Sequence, residues 1–288
     1  MNNAGAGTYN ERFAKVLDYI DRNLDADLSV AHLSEVANLS KFHFHRVFSS
    51  HTGVNVHHYV QLMRLKRASY QLVFGGDLRI IDIALDAGFE NPESFSRAFK
   101  RVFDQTPSRF KKSPAWKPWW AQFQINTPER PQNMNVSIVD FEETRIAALE
   151  HRGDPELLND SVMRFIEWRK QSGLSPVRSS HTFGIAYDNP QTTPPDEFRF
   201  DICGSVNTEI PDNGFGVINR IIPGGRCARI RHEGSHQGIG ARAIYLYRNW
   251  LPESGEALRD FPLFFHYLNL VPDVDEHELI TDLYLPLR

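Results

Sequence analysis

The sequence predicts two domains of different class: an all-α domain with two helix-turn-helix units over residues 1–112, and an α+β domain of two βαββ repeats over 134–288, with a linker at 113–133. Three observations predict this. The first third of the chain repeats itself at an offset of 50 to 51 residues, and both copies have helical periodicity. The last half repeats itself at an offset of 81 to 82, and there strand-like and helix-like runs alternate. Between them, "SPAWKPWWAQFQINTPERPQ" (113–132) has four prolines and no clean period. Trp116, Trp119 and Trp120 argue against a plain flexible linker. They point to an interdomain contact, because such clusters are rarely left wet.

In the first third, "LSEVANLSKFHFHRVF" (33–48) lies over "IALDAGFENPESFSRAF" (83–99), with Leu33 over Ile83, Ala37 over Ala87, Phe44 over Phe95 and Phe48 over Phe99. Ser29 can cap a helix over 30–37, and Ser40 a second over 41–51. "VHHYVQLMRLKRASYQLVF" (56–74) lacks Gly and Pro and reads as one helix, roughly 28 Å long at 1.5 Å per residue. In the second copy Asp82 to Ala87 is helical, Gly88 suits a left-handed helix end, and Asn91 is the next cap with Pro92 at the first helical position. Phe95, Ala98, Phe99 and Val102 then form an apolar stripe, opposite Ser96, Arg97, Lys100 and Arg101. The second helix of such a unit enters the DNA major groove, and successive groove faces recur every ~34 Å. The 56–74 helix is long enough to hold two reading helices on one DNA face.

In the last half, "RIAALEHRGD" (145–154) lies over "RCARIRHEGS" (226–235), aligning His151 with His232. Strands read near 134–150, 182–187, 197–206, 217–232, 262–269 and 278–285, and helices near 155–172 and 236–251. Two βαββ copies imply a pseudo-twofold module with a groove between its halves. His151 and His232 near strand ends are expected to be structural.

Composition narrows the function. The net charge of −4 hides a split: residues 1–113 carry 15 Lys+Arg against 12 Asp+Glu, and residues 114–288 carry 17 against 24. Charge distribution, which matters more than the total for nucleic-acid binding, therefore favours the first third. Two cysteines, Cys203 and Cys227, make no disulfide framework. No apolar run approaches the ~20 residues of a membrane span, and the first residues lack a signal-peptide pattern. A cytoplasmic protein is expected. His43, His45, His51, His57 and His58 have no metal-ligand spacing, and there is no Walker loop, nucleophile elbow or dinucleotide fingerprint. Neither a metal nor a cofactor is expected.

Residues 9–112 resemble the DNA-binding domain of the AraC/XylS family of bacterial transcription regulators, most specifically in "IALDAGFENPESFSRAFKRVFDQTPSRFKK". Carried over by position, the resemblance puts base-edge contacts on Phe42, His45 and Arg46 in the first reading helix, and on Glu93, Ser94, Ser96 and Arg97 in the second. Arg46 or Arg97 can bond a guanine bidentately, Glu93 can accept from a cytosine amine, and Phe42 can touch a thymine methyl. Lys41, Lys100, Arg101, Lys111 and Lys112 suit phosphate contacts. His45 departs from the Gln or Arg expected there.

Residues 134–288 resemble the GyrI-like small-molecule-binding domain, found also in multidrug-sensing regulators. The carrying stretches are "FGIAYDNPQTTPPDEFRFDIC", "IPGGRCARIRHEGSH", "YRNWLPESG" and "LYLPL". The resemblance implies an aromatic-lined cleft for amphipathic, often cationic, molecules. The pocket candidates are Trp168, Tyr187 and Phe200 in the first repeat, and Tyr247, Trp250, Phe265 and Tyr267 in the second. Relatives commonly have a glutamate at the place of Phe265, so a neutral or aromatic ligand is expected here, with cation–π attraction still available.

The expectation is a transcription regulator, an activator by family resemblance, that binds double-stranded DNA, a small effector and RNA polymerase. Two other classes stay open: a hydrolase using Glu150 or Glu233 near the cleft, and an interaction module that binds no ligand.

Overall fold

The computed structural model describes residues 4–116, Trp119, Phe123 and 134–288, and for residues 4–11, Phe42, His45, Arg46, Ser50 and His51 it describes the backbone alone. The chain divides into two compact units, Met1–Gln132 with Val271–His277 and Asn133–Leu270 with Glu278–Arg288. Among the described residues no helix is long and apolar enough to cross a membrane.

The helical unit begins with α1 (Ala4–Arg22), which the repeat does not reveal because it has no second copy. The two helix-turn-helix units are α2 (Val30–Val36) with α3 (Lys41–Thr52), and α5 (Ile80–Asp86) with α6 (Pro92–Phe103). Helix α4 (Val56–Phe74) joins them and α7 (Pro107–Lys112) closes the second. The caps follow the sequence: Ser29 accepts from the His32 amide, Ser40 from His43 and Asn91 from Ser94, with Pro92 in the first turn of α6. Both turns reverse through a left-handed residue, Gly88 at φ +77° and its repeat partner Asn38 at φ 52°, one of the few side chains that tolerates this region.

Helix α4 belongs to two cores. Val56, Tyr59 and Val60 pack with Phe13, Ile20, Leu33, Phe44 and Phe48. Leu62, Leu65, Ala68 and Leu72 pack with Ile83, Phe95, Phe99, Phe103 and Phe110. On its outer side Arg64 Nε donates to the Leu24 carbonyl at 2.8 Å, and Arg67 bonds both the Asp25 carboxylate and the Asp86 carbonyl. The helix is thus tied to both units by side chains as well as by packing. Trp116, Trp119 and Phe123, in the stretch read as a linker, lie in the second core of this helical unit, and Trp119 Nε1 donates to Ser69 Oγ at 2.7 Å. Trp120 lies outside the described residues.

The second unit is one eight-stranded antiparallel sheet: β1 (Val136–Phe141), β2 (Thr144–Arg152), β3 (Thr182–Ala186), β4 (Arg199–Ser205), β5 (Val217–Ile222), β6 (Gly225–Glu233), β7 (Leu263–Tyr267) and β8 (Ile280–Pro286). Helix α8 (Leu158–Ser172) follows β2, and α9 (Ile239–Tyr245) follows β6, running through a π-helical turn at Leu246–Trp250 into a last turn over Leu251–Ser254. The π turn falls just ahead of Pro252, which has no N–H to continue the α ladder.

The strand order is β1-β6-β8-β7-β3-β4-β2-β5. Here the structure differs from the sequence reading, which makes 134–150 and 217–232 single strands. Each breaks in two, and the leading piece crosses to the other repeat: β1 pairs with β6, and β5 with β2. The crossings run close together. A Cβ on Gly224 would stand 2.9 Å from the Glu143 backbone nitrogen, so only glycine fits.

Candidate nucleic-acid interface and ligand cleft

Helix α6 is two-sided. Phe95, Ala98, Phe99 and Phe103 are buried, and Glu93, Arg97, Lys100 and Arg101 are exposed. No carboxylate pairs with Arg97, Lys100 or Arg101 among the described residues, so these cations are available to a polyanion. Ser96 is half-buried beside them. Ser94 is already engaged, its amide by Asn91 Oδ1 at 2.8 Å and its hydroxyl by the Asn91 carbonyl at 2.9 Å. Lys111 likewise donates to the Leu78 carbonyl at 2.8 Å, while Lys112 is exposed. In α3, Phe44 and Phe48 form the buried back and Lys41 is exposed. The side chains of Phe42, His45 and Arg46 lie outside the described residues.

In the sheet unit, alternation decides which residues share a face. Phe200 and Phe265 belong to the core under the two helices, with Trp168 buried and Trp250 and Tyr267 packed against it. Phe200 stacks on Phe265 with centroids 6.1 Å apart at 20°, and Tyr267 lies 6.2 Å from Phe265 and 5.1 Å from His236. Gly184 pairs with Phe265 in the ladder. A Cβ there would stand 2.4 Å from Phe200 Cζ and 3.0 Å from the Tyr267 hydroxyl, so the glycine makes room for both rings. Burial holds the Tyr267 phenol well above its usual pKa. Trp168 stacks on Phe165 and also lines a separate hollow of about 210 Å³ with Leu174, Ile210 and Phe215. Tyr247 sits on the π turn, 43% exposed.

Tyr187 does not join this group. It packs on the opposite face with Phe183, Ile185 and Cys203. Its hydroxyl donates to Asp201 at 2.8 Å, and the guanidinium groups of Arg152 and Arg199 lie 5.6 and 5.5 Å from its ring centroid. Burial first, then the bond to Asp201, pushes its pKa up to about 12. The reason is parity: Tyr187 is one residue past Ala186, so it points away from Phe200. Glu150 and Glu233 are also on that face by alternation with His151 and His232, and Glu150 is paired with Arg152 and Arg220. Neither glutamate lies near the cleft. His151 bonds Ser161 and the Asp154 carbonyl, and His232 bonds the Ser235 carbonyl, so each pins the turn after its strand.

Sequence reasoning missed one duplicated feature, the buried aspartates Asp201 and Asp282, 0% and 2% exposed. Arg152 reaches Asp201 at 3.3 Å, and Arg231 holds Asp282 by two bonds of 2.7 and 2.9 Å. The signal was present, since the two positions stand at the same offset as the histidines.

Comparison with known proteins agrees with this division. A family model described as a GyrI-like small molecule binding domain matches residues 134–288, and one described as a helix-turn-helix domain matches 33–113. The Escherichia coli K12 protein YgiV, described as a probable transcriptional regulator, is 53% identical over 154 residues, covering 54% of this chain and 96% of its own length. The right origin-binding protein of the same strain is 25% identical over 246 residues, covering 82% of this chain and 83% of its own. A solved structure of the EcmrR C-terminal domain covers 54% of this chain and 97% of that one at 17% identity, with a TM-score of 0.46. The chain therefore belongs to the family with a GyrI-like small-molecule-binding domain, here joined to an AraC-type helix-turn-helix domain, and is a DNA-binding regulator with a ligand-binding domain.

Proposed function

We propose that the chain is a cytoplasmic activator of transcription that responds to a neutral aromatic or amphipathic molecule and contacts RNA polymerase, with residues 1–112 binding DNA and 134–288 binding the effector. The observation that carries the ligand class is Phe265, an apolar ring stacked on Phe200 at the place where a carboxylate would select a cation. The site works by binding and not by turnover; its relatives are described as regulators, and Glu150 and Glu233 face away from the cleft. Base edges are read by Phe42, His45 and Arg46, and by Glu93, Ser96 and Arg97, while Lys41, Lys100, Arg101 and Lys112 hold phosphates. For regulation the effector must bind one state of the protein better than the other.

The test is fluorescence-anisotropy binding of the full-length protein to DNA from upstream of its own gene against a scrambled duplex, with and without neutral and cationic aromatic compounds. Preference for the native duplex, changed by a neutral aromatic compound, is expected. Response to cations alone would overturn the ligand class, and equal binding of both duplexes would overturn the specific-regulator reading.

A further inference from the structure

Six of the twelve histidines fall between residues 32 and 58, and none between 59 and 150. The same stretch is poor in fixed positive charge: residues 1–58 carry five Lys+Arg against six Asp+Glu, whereas 59–112 carry ten against six. A duplex spanning two helix-turn-helix units presents the same phosphate charge density to each. The second unit can meet it with lysine and arginine. The first has mostly imidazole.

Of these histidines, His32 is bonded through Nε2 to the Tyr19 hydroxyl at 2.8 Å, whereas His57 and His58 share a different setting. His57 and His58 are exposed on α4, and neither side chain makes a hydrogen bond or ion pair among the described residues. With Asn55, Gln61 and Arg64 they line an open hollow of about 330 Å³ that Gly88 and Phe89 of the α5–α6 turn also line. The hollow therefore lies where one helix-turn-helix unit meets the other. No carboxylate lines it. Arg64 is a fixed cation there, anchored through Nε on the Leu24 carbonyl and crowding Gly88, where a Cβ would come within 3.0 Å of Nη1. Of the acids on the adjoining segments, Asp25 and Asp86 interact with Arg67, and Asp25 also acts on Arg64, whose own charge is opposed by the neighbouring Arg67. His51, on the preceding helix, has its side chain outside the described residues.

We propose that His57, His58 and Arg64 form a phosphate-binding hollow between the two helix-turn-helix units, whose grip on the DNA backbone is complete only when the imidazoles are protonated. The inference rests on the DNA-binding reading above. A neutral imidazole can donate one N–H to a phosphate, but only the cation displaces a condensed counterion. Histidine is the side chain that changes charge between pH 5 and 8, so this hold is conditional where that of Arg97 or Lys100 is not. An isolated lysine pair at these positions would grip at any pH in that range.

The experiment measures binding of the full-length protein to its upstream duplex as a function of salt, at pH 5.5 and pH 8. Each phosphate neutralised adds about 0.9 to the slope of log K against log salt, so the slope should steepen by about 2 at the lower pH. His57→Gln with His58→Gln should remove the steepening, and a thermal melt that matches the parent's shows that the variant folds. His57→Lys with His58→Lys should give the steep slope at both pH values. An equal slope at both pH values in the parent, or steepening that survives in the glutamine variant, overturns the proposal. Failure to bind any duplex at either pH overturns the DNA-binding reading, and the hollow's role with it.

Discussion

Arg97 and Lys100 stand one turn apart on α6, both exposed, yet base readout and backbone grip make opposite demands on them. Arg97→Ala should cost about 1–3 kcal/mol on the specific site and blur preference at one base pair. Lys100→Ala should weaken all duplexes alike and lower the salt slope by about 0.9. Equal loss on every sequence for Arg97→Ala would remove it from base readout. At Phe265 the chemistry can be inverted. Phe265→Glu places a carboxyl against Phe200, where burial raises its pKa above the unfolded value of about 4.3. The sign follows: the folded variant holds its proton longer, so its stability falls as pH rises from about 4 through the raised pKa. Thermal melts should show a larger deficit at pH 8 than at pH 5, and a cationic aromatic compound should narrow it. No pH dependence of the deficit would mean that the position is open to water. Asp25 runs the other way. Its bond to Arg67 lowers its pKa, so the stability it supplies is present above about pH 4 and is lost as pH falls through the lowered value. Asp25 is largely exposed although Arg67 is mostly covered, and the pair's worth is about 0.5 kcal/mol after solvent screening, so Asp25→Asn should differ from the parent by that much at pH 7 and not at pH 2 in urea titrations.

At the scale of elements, α6 shows how sequence becomes a reading head. Asn91 takes the Ser94 amide, Pro92 sets the first turn, and the phenylalanine stripe fixes which side is left for DNA. Asn91→Ala should cost about 1 kcal/mol in equilibrium unfolding and loosen the N-terminal turn that presents Glu93 and Arg97. Phe99→Ala, at a fully buried position, should cost about 3–5 kcal/mol. These elements were legible because caps and periodicity are local. The extent of α4, Val56–Phe74, agrees with the uninterrupted stretch in the sequence, since nothing within it breaks a helix and Gly75 and Gly76 end it. By contrast α1 was missed because it has no second copy in the repeat, although its Phe13, Val16, Leu17 and Ile20, at i, i+3, i+4 and i+7, carry the apolar stripe that packs on α2, α3 and α4. The tryptophans at 116 and 119 were noticed, but their prolines and broken period read as a linker. Beyond the nearby Phe110, their burial draws on partners 40 or more residues away, Phe74 for Trp116 and Ser69 for Trp119.

For the whole molecule, an effector that binds only the folded sheet unit must stabilise it, by about 2.7 kcal/mol at a hundredfold excess over Kd. Calorimetry of the full-length chain with neutral aromatic compounds should show one transition rising, and unchanged transitions with every compound that alters DNA binding would dissociate the cleft from the response. Two duplications at different offsets, in stretches of different period, determined two classes of domain in one chain, and with them the helix-turn-helix pair and the doubled sheet module. Those are properties of local pattern, repeated. What only the tertiary structure decided is who pairs with whom. Both repeats offer the same kind of leading strand, so alternation assigns each residue to a face without naming its partner, and the exchange of β1 and β5 between repeats is settled by long-range ladder bonds. The same limit separated Tyr187 from Phe200. Composition made both aromatic candidates, and a single residue of strand register sent one to the cleft and the other to Asp201 on the far side.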